Sequence, residues 1–176
     1  MALTIQEIDP AVNPSLREIE SKTGPSNFFR MMAHSPAAMQ DFAALEATVM
    51  GPGSIDRRFK EVLCLAVSFV NECAYCIARH TDAAIQLGIS DAEIFDVKSE
   101  TNQRFSPKEQ AALHYARELT RTGAADTETR DAIQNLFSAQ QLVELTMVIA
   151  LANFSNRFSN GLTVPVEKRE KHRTAS

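Results

Sequence analysis

From Pro14 onward, apolar residues in this chain recur at intervals of three and four, and no stretch keeps up the strict alternation of a half-buried strand. That periodicity predicts an all-α chain in which each helix buries one stripe. Prolines, glycines and cap residues divide it into segments. Pro14 to Lys22 reads as a short helix closed by Thr23-Gly24-Pro25, and Ser26 to Ala33 as a second that ends at His34-Ser35-Pro36. Ser35-Pro36 opens a helix through Met39, Phe42, Leu45 and Val49, stopped by Gly51-Pro52-Gly53. Ser54 or Asp56 caps the next one, whose Phe59, Val62, Leu63, Leu65, Ala66, Phe69 and Val70 are apolar almost all round, as suits the centre of a bundle. Asn71 offers an N-cap for a helix from about Cys73 to Leu87, closed by Gly88. Ser90-Asp91-Ala92-Glu93 and Ser106-Pro107-Lys108-Glu109 start two more, and helices at about 127–136 and 139–160 complete the set. The whole of 1–176 reads as a single domain, with 1–13 and the charged stretch 166–176 as flexible ends.

At 176 residues such a chain can enclose one core. Eighteen basic against twenty-two acidic side chains give a net charge of -4. With no basic face to track phosphates, nucleic acid is excluded as a partner. The N-terminus has neither the basic nor the apolar region of a signal peptide, and no apolar run approaches the ~20 residues of a membrane span, so the expected location is the cytoplasm. In that reducing compartment three cysteines do not form a static disulfide framework. Cys64, within Val62-Leu63-Cys64-Leu65-Ala66-Val67, reads as a small core hydrophobe.

The other two cysteines carry the chemistry. With Asn71 as N-cap, Cys73 and Cys76 fall in the first turns of a helix, where unpaired amide groups and the dipole favour a thiolate. Residues at i and i+3 share a face about 4.5 Å apart along the axis, within reach of a disulfide. His80 lies one turn beyond Cys76, placed to take its proton, which makes Cys76 the more acidic thiol on this reading. Glu61 sits on the preceding helix. A bend at Asn71-Glu72 would fold that helix back, so its carboxylate can orient His80 or relay its proton, although its neighbours Arg57, Arg58 and Lys60 equally permit a surface salt bridge. Cys73, Cys76, His80 and Glu61 are also a conceivable zinc set in a metal-stabilised helical module. The absence of a βαβ pattern argues against a thioredoxin. His34 and His114 suit capping or packing, His172 has no role, and Asn153 and Arg157 share a face suited to hydrogen bonds between helices.

Glu61, a Cys-x-x-Cys twelve residues on and His80 after three more residues form a pattern that resembles the signature of alkylhydroperoxidase D-like (AhpD-like) proteins of the carboxymuconolactone decarboxylase superfamily. The likeness extends over roughly Phe28 to Val164, through Phe42-Ala43-Ala44-Leu45, Ala66-Val67-Ser68, Ser106-Pro107-Lys108-Glu109 and Asn153-Phe154-Ser155-Asn156-Arg157. The resemblance implies a peroxidase in which Cys76 attacks a peroxide and becomes a sulfenic acid, Cys73 condenses with it to a disulfide, and Glu61 and His80 form the proton relay that activates Cys76 and protonates the leaving alcohol. It implies no bound cofactor, an external dithiol reductant such as a lipoyl or other thiol protein, and a homotrimer or hexamer. A decarboxylase or lactone enzyme is the other activity found in the wider superfamily. Tyr75 departs from the pattern, because the best-known members carry there a histidine that joins the relay.

Overall fold

The computed structural model describes residues 5–167, so the readings of 1–4 and 168–176, His172 included, lie outside the described residues. A 3₁₀ turn at Pro10–Val12 precedes α1 (Pro14–Thr23), α2 (Asn27–Met32), α3 (Pro36–Met50), α4 (Arg57–Val70), α5 (Ala74–Gln86), α6 (Asp91–Ser99), α7 (Pro107–Thr122), α8 (Thr127–Leu136) and α9 (Ala139–Leu162), with no strand among the described residues. Local chemistry sets these starts. Asn13, Ser26 and Asp56 accept amide hydrogens of the first turns of α1, α2 and α4, and proline takes the first helical positions of α1, α3 and α7. Ser90, Ser106 and Ser138 form reciprocal capping boxes with Glu93, Glu109 and Gln141.

As its apolar circumference predicts, α4 runs through the middle, packed against α5, α6, α7 and α9. Phe59 through Ser68 are buried without interruption. That run includes Lys60, which sequence context reads as a solvated neighbour of Glu61; in the fold its side chain is 1% exposed. Burying an ammonium is tolerable only with partners. Nζ donates to the carbonyls of Val49 (2.8 Å) and Gly51 (2.7 Å) and lies 2.6 Å from Glu144 Oε1 on α9. The other oxygen of Glu144 accepts the Ser54 amide at 2.7 Å, so the α3–α4 loop, α4 and α9 share one ion pair. Gly53 sits against it: a Cβ there would fall 2.1 Å from Oε1, so any larger residue must displace the carboxylate or the loop.

Two boundaries differ from the sequence reading. Asn71 closes α4 rather than opening α5; its amide side chain reaches across to Asn153 (3.0 Å) and Asn156 (3.3 Å) on α9. Glu72 takes the left-handed turn at φ 51°, and Cys73 becomes the N-cap of α5. At the other end, α9 continues through Gly161 until Thr163 turns left-handed at φ 53°. Within the stretches read as loose ends, the Ile8 amide donates to the Arg30 carbonyl at 3.2 Å and Glu167 accepts the Asn27 amide at 2.8 Å.

Candidate active site

The α4–α5 joint brings the two cysteines and their partners together. As N-cap, Cys73 uses its own sulfur to accept the Cys76 amide at 3.3 Å. The Cys73 and Cys76 sulfurs lie 2.7 Å apart, both buried, and Cys76 Sγ lies 3.8 Å from Ser159 Oγ on α9. One turn on, His80 Nδ1 is 2.7 Å from Glu61 Oε2 on α4, whose other oxygen meets Arg57 Nη2 at 2.6 Å. Glu61 therefore makes both contacts the sequence permits, the salt bridge and the histidine bond, but in the interior, at 1% exposure. Its bond to Nδ1–H fixes the tautomer whose Nε2 is free to accept a proton.

A cavity of about 510 Å³ opens beside the pair, with Cys76, His80, Glu61, Glu46, Arg79 and Tyr75 among its lining. Cys73 does not reach it. Burial pushes the Glu61 carboxyl up, but His80 and Arg57 together outweigh burial and hold it below the ordinary carboxylate range. Hydrogen bonding from the Cys76 thiol, aided by the Cys76 amide and Ser159, draws Cys73 down to about 7 against the opposing effect of burial. Cys76, beside that sulfur and buried, is pushed far up. The N-cap position gives Cys73 the Cys76 amide and favours charge on that sulfur, a contact that the turn shared by Cys76 and His80 does not supply. Burial, with Glu61 and Glu46 adding to it, pushes Cys64 well up, as befits an inert core thiol.

Tyr75 turns away from the relay. Its hydroxyl accepts the Phe28 amide (3.3 Å), pairs with Ser26 Oγ (3.2 Å) and donates to Glu167 Oε1 (2.8 Å). Burial raises its pKa above the usual phenol range. Among the described residues no group of three or more His, Cys, Asp or Glu side chains is arranged to hold a metal ion. The sulfurs at 2.7 Å are also closer than the roughly 3.8 Å between two thiolates on one tetrahedral zinc. Asn153 makes the expected bonds between helices, to Asn71 and to Thr120 Oγ1 at 3.0 Å, and Arg157 bonds back to it from an exposed position. His34 Nε2 lies 2.8 Å from the Gln6 carbonyl, and His114 is exposed. Glu46, Arg79 and Ser159 were not singled out in the sequence. Glu46 and Ser159 come from helices whose placement against the pair is a tertiary fact, and Arg79, on α5 itself, belongs to no local motif.

The profile of the carboxymuconolactone decarboxylase family matches residues 36–118. The uncharacterised protein YdfG of Bacillus subtilis (strain 168) is 30% identical over 109 residues, 60% of this chain and 74% of that protein. Among solved structures, a variant of the debrominase Bmp8 in complex with 2,3,4-tribromopyrrole superposes with a TM-score of 0.82 at 20% identity, over 95% of this chain and 93% of the other. The alkylhydroperoxidase AhpD core of an uncharacterised peroxidase-related protein from Ralstonia eutropha JMP134 gives 0.78 at 19% identity, over 94% and 92%. Likeness at these identities speaks for the fold: the all-helical architecture is that of the AhpD core.

Proposed function

The chain belongs to the carboxymuconolactone decarboxylase family, and on that footing we propose that it is a thiol peroxidase of the alkylhydroperoxidase D type. The observation that carries the reading is a cysteine pair 2.7 Å apart at a cavity that also holds a histidine–carboxylate couple. A disulfide of about 2.05 Å forms from that separation with little backbone movement.

Cys76 is the attacking sulfur because it lines the cavity and Cys73 does not. The pair's negative charge rests on Cys73 near neutral pH, and one proton moved between the adjacent sulfurs transfers it to Cys76. The Cys76 thiolate attacks the terminal oxygen of ROOH, the O–O bond breaks, and Cys76 becomes a sulfenic acid while the alkoxide leaves as ROH after taking a proton. Cys73 then attacks the sulfenic sulfur and expels water. Two thiols and ROOH give a disulfide, ROH and H₂O. His80, held by Glu61 with Nε2 as acceptor, takes the thiol proton at the cavity wall. The disulfide is reopened by an external dithiol, of which a lipoyl or other thiol protein is the natural class, and the cycle calls for no bound cofactor. We extend the reading to self-association, supported by the exposed apolar residues Leu45 on α3 and Val143, Met147 and Phe154 on α9. Light scattering is expected to return a multiple of 19.4 kDa.

Stopped-flow mixing of the reduced protein with cumene hydroperoxide tests the activity. Two thiols should disappear per peroxide, at a rate well above that of free cysteine at the same pH. Cys76→Ser should abolish the reaction, whereas Cys73→Ser should stop at a sulfenic acid on Cys76 visible by mass spectrometry. A rate no faster than that of free cysteine would overturn the reading.

A further inference from the structure

The inward stripe of α3 runs Met39, Phe42, Glu46, Val49, Met50, and every one of these except Glu46 is a buried hydrophobe. A carboxyl group on an otherwise apolar stripe needs a reason. Glu46 lines the same cavity as Cys76. Around it stand Lys22 of α1, Arg57 and Glu61 of α4, and Arg79, His80 and Asp82 of α5. No hydrogen bond or close ion pair ties it to another described side chain, so its carboxyl is uncommitted within a site whose other groups are largely engaged.

The peroxidase reading, on which this inference rests, has Glu61 and His80 protonate the leaving alcohol by resemblance, yet neither stands here as a free acid. When a thiolate cleaves an alkyl hydroperoxide the departing alkoxide is a strong base, and a positioned acid is needed to protonate it. Glu61 is committed to Arg57 and His80 and is held in its charged form. Tyr75, where a histidine of the relay would stand, has its hydroxyl bound to Ser26, Phe28 and Glu167. His80 presents Nε2 as an acceptor.

We propose that Glu46 is a catalytic acid of this site: from α3 it faces Cys76 across the cavity and delivers the proton to the leaving oxygen. The step balances as Cys76 thiolate, ROOH and the Glu46 carboxylic acid giving Cys76 sulfenic acid, ROH and the Glu46 carboxylate. Solvent reprotonates the carboxylate through the mouth of the cavity. Burial supports the assignment, since it holds the carboxyl toward its neutral form against the opposing influence of His80 and Arg79.

The test compares two oxidants on reduced wild type and Glu46→Gln, with the thiolate followed by its absorbance near 240 nm. Cumene hydroperoxide expels an alkoxide and needs the acid; peracetic acid expels acetate and does not. Glu46→Gln should slow the cumene hydroperoxide reaction about 100-fold, leave the peracetic acid rate within about twofold of wild type, and leave the thiolate titration unmoved. The wild-type rate with cumene hydroperoxide should fall at high pH as Glu46 loses its proton, a limb absent in Glu46→Gln and restored in Glu46→Asp. If Glu46→Gln slows both oxidants alike, or neither, Glu46 is not the acid and the peroxidase reading survives. If wild type reacts with neither faster than free cysteine does, both fall together.

Discussion

Cys73 and Cys76 differ in which atom each sulfur faces. Cys73 Sγ takes the helix-opening amide, and Cys76 Sγ meets the cavity, so charge is held on one and chemistry is presented on the other. Reduced protein should therefore show one thiolate rising with a midpoint near 7 in its ultraviolet absorbance. Cys73→Ala should remove that step. Cys76→Ala should keep it but move it upward, because the hydrogen bond from the Cys76 thiol is the largest influence lowering Cys73. A midpoint near 7 that persists in Cys73→Ala would return the charge to Cys76. The pair and His80 were legible in the sequence because three residues of one helix at i, i+3 and i+7 fix their own spacing. Glu61 was legible only as one of two options. The amide that Cys73 collects was not legible, because the cap reads from composition as Asn71, two residues early. Tyr75 was legible as a departure but not in its effect, since the groups that bind its hydroxyl lie 49 and 92 residues away in sequence.

Helix starts were readable because a cap is written within four residues: the Ser90 and Ser106 boxes fell where their spacing put them. The joints between helices were less readable, because their geometry answers to distant partners. Asn71 is a plausible N-cap by composition, yet α9 supplies its side chain with two better-placed acceptors, and the helix begins two residues later. The α3–α4 loop is a similar case. Gly51-Pro52-Gly53 announces a turn, but the reason for the second glycine is the Glu144 carboxylate 91 positions on. Gly53→Ala is accordingly expected to force the loop away from the ion pair at a loss of about 1–3 kcal/mol. Urea unfolding monitored by helical circular dichroism would show this as a lower midpoint, and an unchanged midpoint would mean that the loop yields freely.

At the scale of the molecule, α4 gathers the interior charge: Lys60 pairs with α9 through Glu144, and Glu61 pairs with α5 through His80. Both carboxylates are held below their ordinary values, so acid should act on the whole fold through this helix. For Glu144, burial pushes the carboxyl up, but Lys60 and the Ser54 hydroxyl and amide outweigh it and bring it from an ordinary 4.5 to about 2. A carboxyl with a depressed folded pKa contributes its stability fully above the unfolded value. Below that value the unfolded chain takes up the proton and the folded one does not, so stability falls as pH drops from about 4.5 toward 2. Glu61 adds loss of the same sign. Denaturant midpoints should thus decline steeply below pH 4.5. Glu144→Gln should flatten that decline and cost about 3 kcal/mol at pH 7, because it leaves the buried Lys60 ammonium with only carbonyl partners. If Glu144→Gln instead keeps the wild-type acid slope, the pH dependence arises elsewhere, and the charge that joins α4 to α9 is a passenger in a fold held by its apolar faces.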